Sequence, residues 1–220
     1  MVSNQLAHVV NPGSRVDQKD MLAACPACGA NLERLIAEDA DLAQAWAGLP
    51  RRRLEAGQLL AQPGDVAQAV WRVESGLVRT CYLSPDGLER NRSFHLEGQW
   101  IGAGSPPRVA VMPYAVEALE TTVLTELPYA ILTAWGHRAD LKDRLTEALA
   151  ITLHKRDERE ASLLMLDASQ RYVAFMRTEP ALASRVPLHH VASYLGITNV
   201  ALSRIRRKLK AQGVLPHARG

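Results

Sequence analysis

PLHHVASYLGITNVALSRIRRKL, residues 187–209, reads as two short amphipathic helices separated by one glycine. Leu188, Val191 and Leu195 recur at helical spacing, and Ile197, Leu202, Ile205 and Leu209 begin a second set after Gly196. Ala192 is small where the two helices would cross. Gly196 supplies the positive φ of a tight turn, and Thr198 can cap the second helix by accepting from its free amides. Together these choices describe a helix-turn-helix. Charge sharpens that reading: from Arg185 to Gly220 there are seven Lys or Arg and no Asp or Glu, within a chain of net charge +3, which leaves residues 1–184 at −4. A basic surface confined to a patterned helix suits a polyanion, because counterions released from phosphates drive such binding.

Outward from that motif the chain changes texture twice. Between Met176 and the motif, residues 180–187 read as a proline-bounded link, and residues 169–176 as a short helix. Before them, no proline interrupts the chain from Leu132 to Pro180. There Leu141, Leu145, Ala148, Leu149, Thr152, Leu153, Leu163 and Leu164 form an apolar stripe with charge opposite. A helix of that length has more apolar surface than one small domain covers, so residues 133–166 are expected to pair with a second copy; the alternative is packing on the chain's own barrel alone. From Arg53 to Leu132, short β-like runs (70–73, 77–83) alternate with turns at Pro63-Gly64-Asp65, Ser75-Gly76, Pro85-Asp86-Gly87 and Glu97-Gly98. Closely spaced turns between short strands predict an antiparallel sandwich or barrel. Residues 31–46 carry a small amphipathic helix through Leu32, Leu35, Ile36, Leu42 and Trp46. Residues 1–30, with Asn11-Pro12-Gly13-Ser14, are expected to be a flexible arm holding a Cys25-Pro-Ala-Cys28 knot.

No run of apolar residues reaches the length that spans a bilayer, no secretory leader is visible, and three cysteines do not make a disulfide framework. The expected compartment is the cytoplasm. No Gly-rich phosphate loop, nucleophile elbow or acid–base pair is present, which argues against an enzyme.

The order barrel, long helix, helix-turn-helix resembles the CRP/FNR family of bacterial transcription regulators over residues 31–215. The resemblance is carried by LEAGQLL (54–60) with PGD (63–65), VESGLV (73–78), FHLEGQWIG (94–102), ALETT (118–122) with ELP (126–128), and YLGIT (194–198) with LSR (202–204), the last segments being closest to the FNR branch. It implies an α+β chain: a jelly-roll, cyclic-nucleotide-binding-like sensor barrel (31–132), a dimerisation helix (133–166) and a helix-turn-helix domain (167–220). It also implies a homodimer on a double-stranded DNA operator, working with RNA polymerase.

Carried over by position, Thr198, Asn199, Val200, Ser203 and Arg204 lie on the recognition helix. Arg204 is the expected base reader, since a guanidinium donates two parallel bonds to guanine O6 and N7. Arg206 and Arg207, with Lys208 and Lys210, are expected to hold the phosphate backbone. His189 and His190 open the first helix, near phosphate or solvent. Relatives often carry Glu where this chain has Val200, so cytosine readout gives way to contact with a thymine methyl. Only five residues follow Leu215, too few for the β-hairpin wing of many relatives.

The family's cyclic-nucleotide cassette uses a Gly-Glu pair and an Arg-Ser pair; here the matching positions are Gly102-Ala103 and Pro113-Tyr114, so cyclic nucleotide is not expected, and Arg108 faces solvent. FNR-branch relatives hold an iron–sulphur cluster on four cysteines. Cys25 and Cys28 match that region, while the other two positions fall at Thr125 and near Arg34. Several roles stay open for the pair: a cluster or zinc site completed by Cys81, by His8 or across a dimer, a haem thiolate, a reversible disulfide, or no function. The resemblance therefore implies a redox, gas or small-molecule signal; a sensor or adaptor that no longer reads DNA is the alternative.

Overall fold

The computed structural model describes Arg34 and residues 36–103 and 110–214. A short helix α1 (Ala40–Ala47) leads into ten strands. They are β1 (Arg51–Leu54), β2 (Leu59–Ala61), β3 (Val66–Ala67), β4 (Ala69–Ser75), β5 (Val78–Leu83), β6 (Glu89–His95), β7 (Trp100–Ile101), β8 (Ala110–Val111), β9 (Ala115–Ala118) and β10 (Thr122–Pro128). The pairings are antiparallel and form two four-stranded sheets, β1-β10-β4-β7 and β2-β9-β5-β6, with β3-β8 closing one end. Alternation along β4 turns Ala69, Trp71 and Val73 inward, where they meet Val78, Val116 and Leu124 from the other strands. Their burial is the main drive for the two sheets to close on each other. The tip expected at Pro85-Asp86-Gly87 is a five-residue turn: Ser84 N–H donates to Leu88 O, Leu88 N–H donates to Ser84 Oγ, and Gly87 takes φ +80°.

The helical half is more divided than the sequence pattern suggests. α2 (Tyr129–Trp135) ends at Gly136, and only after that corner does the 27-residue α3 (Ala139–Met165) begin. The corner is fixed by burial of Trp135 and Leu141 against Leu42, Leu49 and Leu127, and by Arg138, which donates to Asp39 (2.7 Å), the residue capping α1. α4 (Ala168–Thr178) starts at a reciprocal capping box between Asp167 and Gln170. Residues 180–185, expected as a link, form a helix instead: α5 (Pro180–Arg185) has proline at its first position, where the missing N–H costs nothing. α6 (Leu188–Tyr194) and α7 (Asn199–Ala211) are the last helices among the described residues. Among the described residues no helix is long and apolar enough to cross a membrane.

Candidate nucleic-acid interface

The α6–α7 turn is built by backbone geometry that the sequence dictates. Gly196 has φ +72°, its N–H donates to Ser193 O (3.1 Å), and Ile197 N–H donates to Ala192 O (3.0 Å). This pair of bonds is a Schellman closure, which requires the left-handed residue that glycine supplies. Thr198 Oγ1 then accepts from Ala201 N–H at 3.1 Å and starts α7. Leu202 and Leu209, with Ile205 beside them, share a core with Val191 and Ala192 of α6 and with Leu195 at its C-cap.

That burial decides what α7 presents. At about 100° per residue, Asn199, Val200, Ser203, Arg204 and Arg207 lie within about 140° of arc, opposite the buried stripe. All five are exposed, Val200 by 62%. Thr198 is exposed at the helix N-terminus. Arg206 departs from the expectation: it sits half-buried on the flank, and its Nε is enclosed without a hydrogen bond among the described residues. Ile205 and Leu209 draw their face of the helix inward, so Arg207 and Lys208 are the freely exposed cations there.

The head is seated on the barrel, which the sequence did not signal. Phe94 and Leu77 of the barrel join the same apolar cluster as Tyr172, Phe175, Val191 and Leu202. Arg185 bridges to Glu97 at 2.9 Å and also to Glu120, and this pairing holds Glu97 down to about 2. His190, expected near phosphate or solvent, turns instead toward Arg79 (3.4 Å). Burial, with Arg79 and His189 adding to it, lowers His190 to about 4, so the ring is neutral at pH 7. Because a guanidinium only donates, Nδ1 is the acceptor and the proton sits on Nε2.

Residues 51–135 match the cyclic nucleotide-binding domain model. The transcriptional activator protein FnrA of Stutzerimonas stutzeri is 28% identical over 179 residues, 74% of this chain and 72% of the relative. The anaerobic regulatory protein of Haemophilus influenzae is 24% identical over 177 residues, 75% and 68% respectively. FixK2 from Bradyrhizobium japonicum superposes with a TM-score of 0.70 at 23% identity, covering 78% of this chain and 89% of that one. The chain is similar to transcription regulators of the CRP/FNR family. CRP/FNR proteins are transcription regulators and not enzymes.

The barrel positions that match the cassette, Gly102-Ala103 and Tyr114, are tied together by tyrosine hydroxyls. Tyr114 is buried in the core and its hydroxyl donates to Gly102 O; the Tyr129 hydroxyl donates to Ala103 O. Gly102 is needed for close approach, since a Cβ there would stand 2.6 Å from Val70 Cγ1. Neither a carboxylate for a ribose nor a guanidinium for a cyclic phosphate lies at these positions, so the residues do not fit that ligand. Arg92 stacks over the Tyr114 ring at 4.6 Å. Cys81 is buried in β5, where burial raises its thiol pKa, and the described residues hold no cluster of metal-ligating groups. Cys25, Cys28, His8, Arg108 and residues 215–220, where the expectation about the wing falls, lie outside the described residues.

Proposed function

We propose that the chain is a homodimeric, sequence-specific DNA-binding regulator in which a signal received by the barrel alters how two reading heads are presented. The observation that carries this is the outward face of α7: Asn199, Val200, Ser203, Arg204 and Arg207 exposed together, opposite a buried stripe, at the capped N-terminal end of a helix with no acidic residue. Arg204 reads guanine, Val200 touches a thymine methyl, and Ser203 and Thr198 reach base edge or phosphate. Arg207 and Lys208 hold the backbone, with Arg206 at the flank.

The domain division proposed is a sensor barrel over 31–132, a dimerisation helix over 133–166 and a reading head over 167–220. Dimerisation is supported by α3, about 40 Å long, on which Leu149, Leu153, Leu163, Leu164 and Met165 are exposed, the last two by 75% and 80%. Apolar side chains left this exposed along one helix favour a partner there. Redox, gas or small molecule remains the proposed signal class, with Cys25 and Cys28 as the candidate thiolates.

Selection from a random duplex library by the full chain tests the reading. A two-fold symmetric motif with half-sites about one helical turn apart is expected. Recovery of duplexes without a shared motif, or no recovery, overturns it.

A further inference from the structure

Asn91, in the middle of β6, is the point at which barrel, long helix and head meet. The residue is 3% exposed and all four of its polar groups are engaged. Its Oδ1 accepts from Arg79 Nη1 at 2.9 Å, its Nδ2 donates to His190 O at 2.9 Å, its backbone N–H donates to Ser193 Oγ at 3.0 Å, and its carbonyl lies 3.5 Å from Arg159 Nη2. Two of these bonds enter α6 of the head and one comes from α3.

The neighbours explain why these bonds take this direction. Arg79, 5% exposed, is an ion buried beside the docked head, held by Glu117 (2.5 Å) and Glu89 (2.6 Å). Burial works against its charge, but the bonds to Glu89 and Glu117 more than offset it and the pKa is raised. A fixed cation forces the oxygen of the Asn91 amide toward itself, which leaves the NH2 free only for His190 O. The free backbone N–H has its own cause. Between Thr80 and Cys81 the β5–β6 register shifts, so that Thr80 faces Ser93 and Cys81 faces Asn91, with Arg92 as the extra residue. A bulge of this kind re-aims the strand beside it, and here it turns the Asn91 amide toward Ser193. On the far side Arg159 lies 3.7 Å over the Tyr194 ring and donates to Tyr194 O at 2.6 Å.

We propose that Asn91 is a positioning residue for DNA recognition: through His190, Ser193 and Arg159 it fixes the reading head to both the sensor barrel and the long helix, and so sets the direction in which α7 points. The bulge residue Arg92 rests on Tyr114, inside the barrel, so a change of barrel contents reaches Asn91 through its chain neighbour. This rests on α7 being the DNA-reading helix, but the latch itself is measurable without DNA.

Two variants test it in the full chain. Asn91→Asp keeps the acceptor for Arg79 and sets two oxygens against each other at His190, while Ser193→Ala removes the acceptor of the Asn91 amide. Hydrogen exchange followed by mass spectrometry is expected to show peptides of β6 and α6 losing at least tenfold of their protection in the double variant, with β4 and β10 unchanged. On duplexes selected by the wild-type chain, the variant is expected to lose its preference for native half-site spacing over spacing lengthened by one base pair. Unchanged exchange at β6 and α6 overturns the latch, and so does a uniform rise over the whole barrel, which would mark Asn91 as a stability residue only. Local release with spacing preference intact overturns its positioning role. Failure of the wild-type chain to select any duplex bears on the DNA reading alone and leaves the exchange result standing.

Discussion

Replacing Gly196 by alanine isolates the turn on which the head is built. A Cβ at this position meets only Leu163 Cδ2 at 3.7 Å, an ordinary contact, so the substitution is not opposed by crowding. What opposes it is φ +72°, a conformation that costs an L-residue roughly 1–2 kcal/mol. With a urea m-value of about 2 kcal/mol/M, the unfolding midpoint of the head falls by about 0.5–1 M. The chain carries its own reporters: all four tryptophans, Trp46, Trp71, Trp100 and Trp135, precede α3, so their fluorescence follows the barrel, while far-UV circular dichroism is dominated by α3 to α7. Gly196→Ala is expected to move the dichroism transition down. Because Leu77 and Phe94 share a core with the head, the fluorescence transition follows it in part. Gly196→Asn, which tolerates the left-handed region, is expected to recover most of the loss. Equal midpoints for glycine and alanine, or an asparagine variant as weak as the alanine one, refute the argument from φ.

Acidification is expected to loosen the head. The neutral His190, facing Arg79, His189 and Glu89, has a folded value near 4 against 6.5, and the buried His95, facing Arg92 and Lys155, one near 3. The unfolded chain therefore binds more protons and stability falls as pH drops from 6.5 toward those values. Glu97, held near 2 by Arg185, adds a loss from pH 4.5 downward; a urea midpoint that stays flat or rises between pH 7.5 and 4.5 contradicts this. Leu153→Glu places two carboxylates in the proposed seam and removes two leucines, each 48% exposed in the single chain, whose covering by a partner is worth about 0.7–1.5 kcal/mol each, so the dimer should weaken at least about tenfold. Light scattering then gives half the wild-type molar mass at micromolar concentration, and an unchanged mass rejects α3 as the interface. Because Gly102-Ala103 and Pro113-Tyr114 offer neither the carboxylate nor the guanidinium of the cassette, calorimetric titration with cyclic AMP is expected to give no saturable heat, and micromolar binding contradicts it.

The sequence pattern carried the elements whose causes are local. The turn at Gly196, the cap at Thr198 and the face of α7 each follow from residues within one helical turn of each other, and all three stand in the structure. Where the cause is tertiary, sequence reasoning stops. The corner between α2 and α3 depends on Trp135 and Leu141 finding Leu42 and Leu127, and α5 replaces a link because Leu182 and Val186 are buried under the head. Arg206 counts as one more cation in the sequence, yet its place beside Ile205 and Leu209 takes it off the free face. The seat of the head on β6 joins Asn91 to residues about a hundred positions away, and its only sequence trace is an asparagine inside a strand, a residue type that strands disfavour.

Whether α7 reads bases is tested most directly by comparing Arg204→Ala with Arg207→Ala on a selected duplex and on the same duplex with its guanines replaced, over a range of salt. Arg204→Ala is expected to lose about 1–3 kcal/mol of discrimination per half-site and to bind both duplexes alike, whereas Arg207→Ala weakens both equally and lowers the salt slope by about 1 per half-site. Full selectivity retained by Arg204→Ala would contradict it.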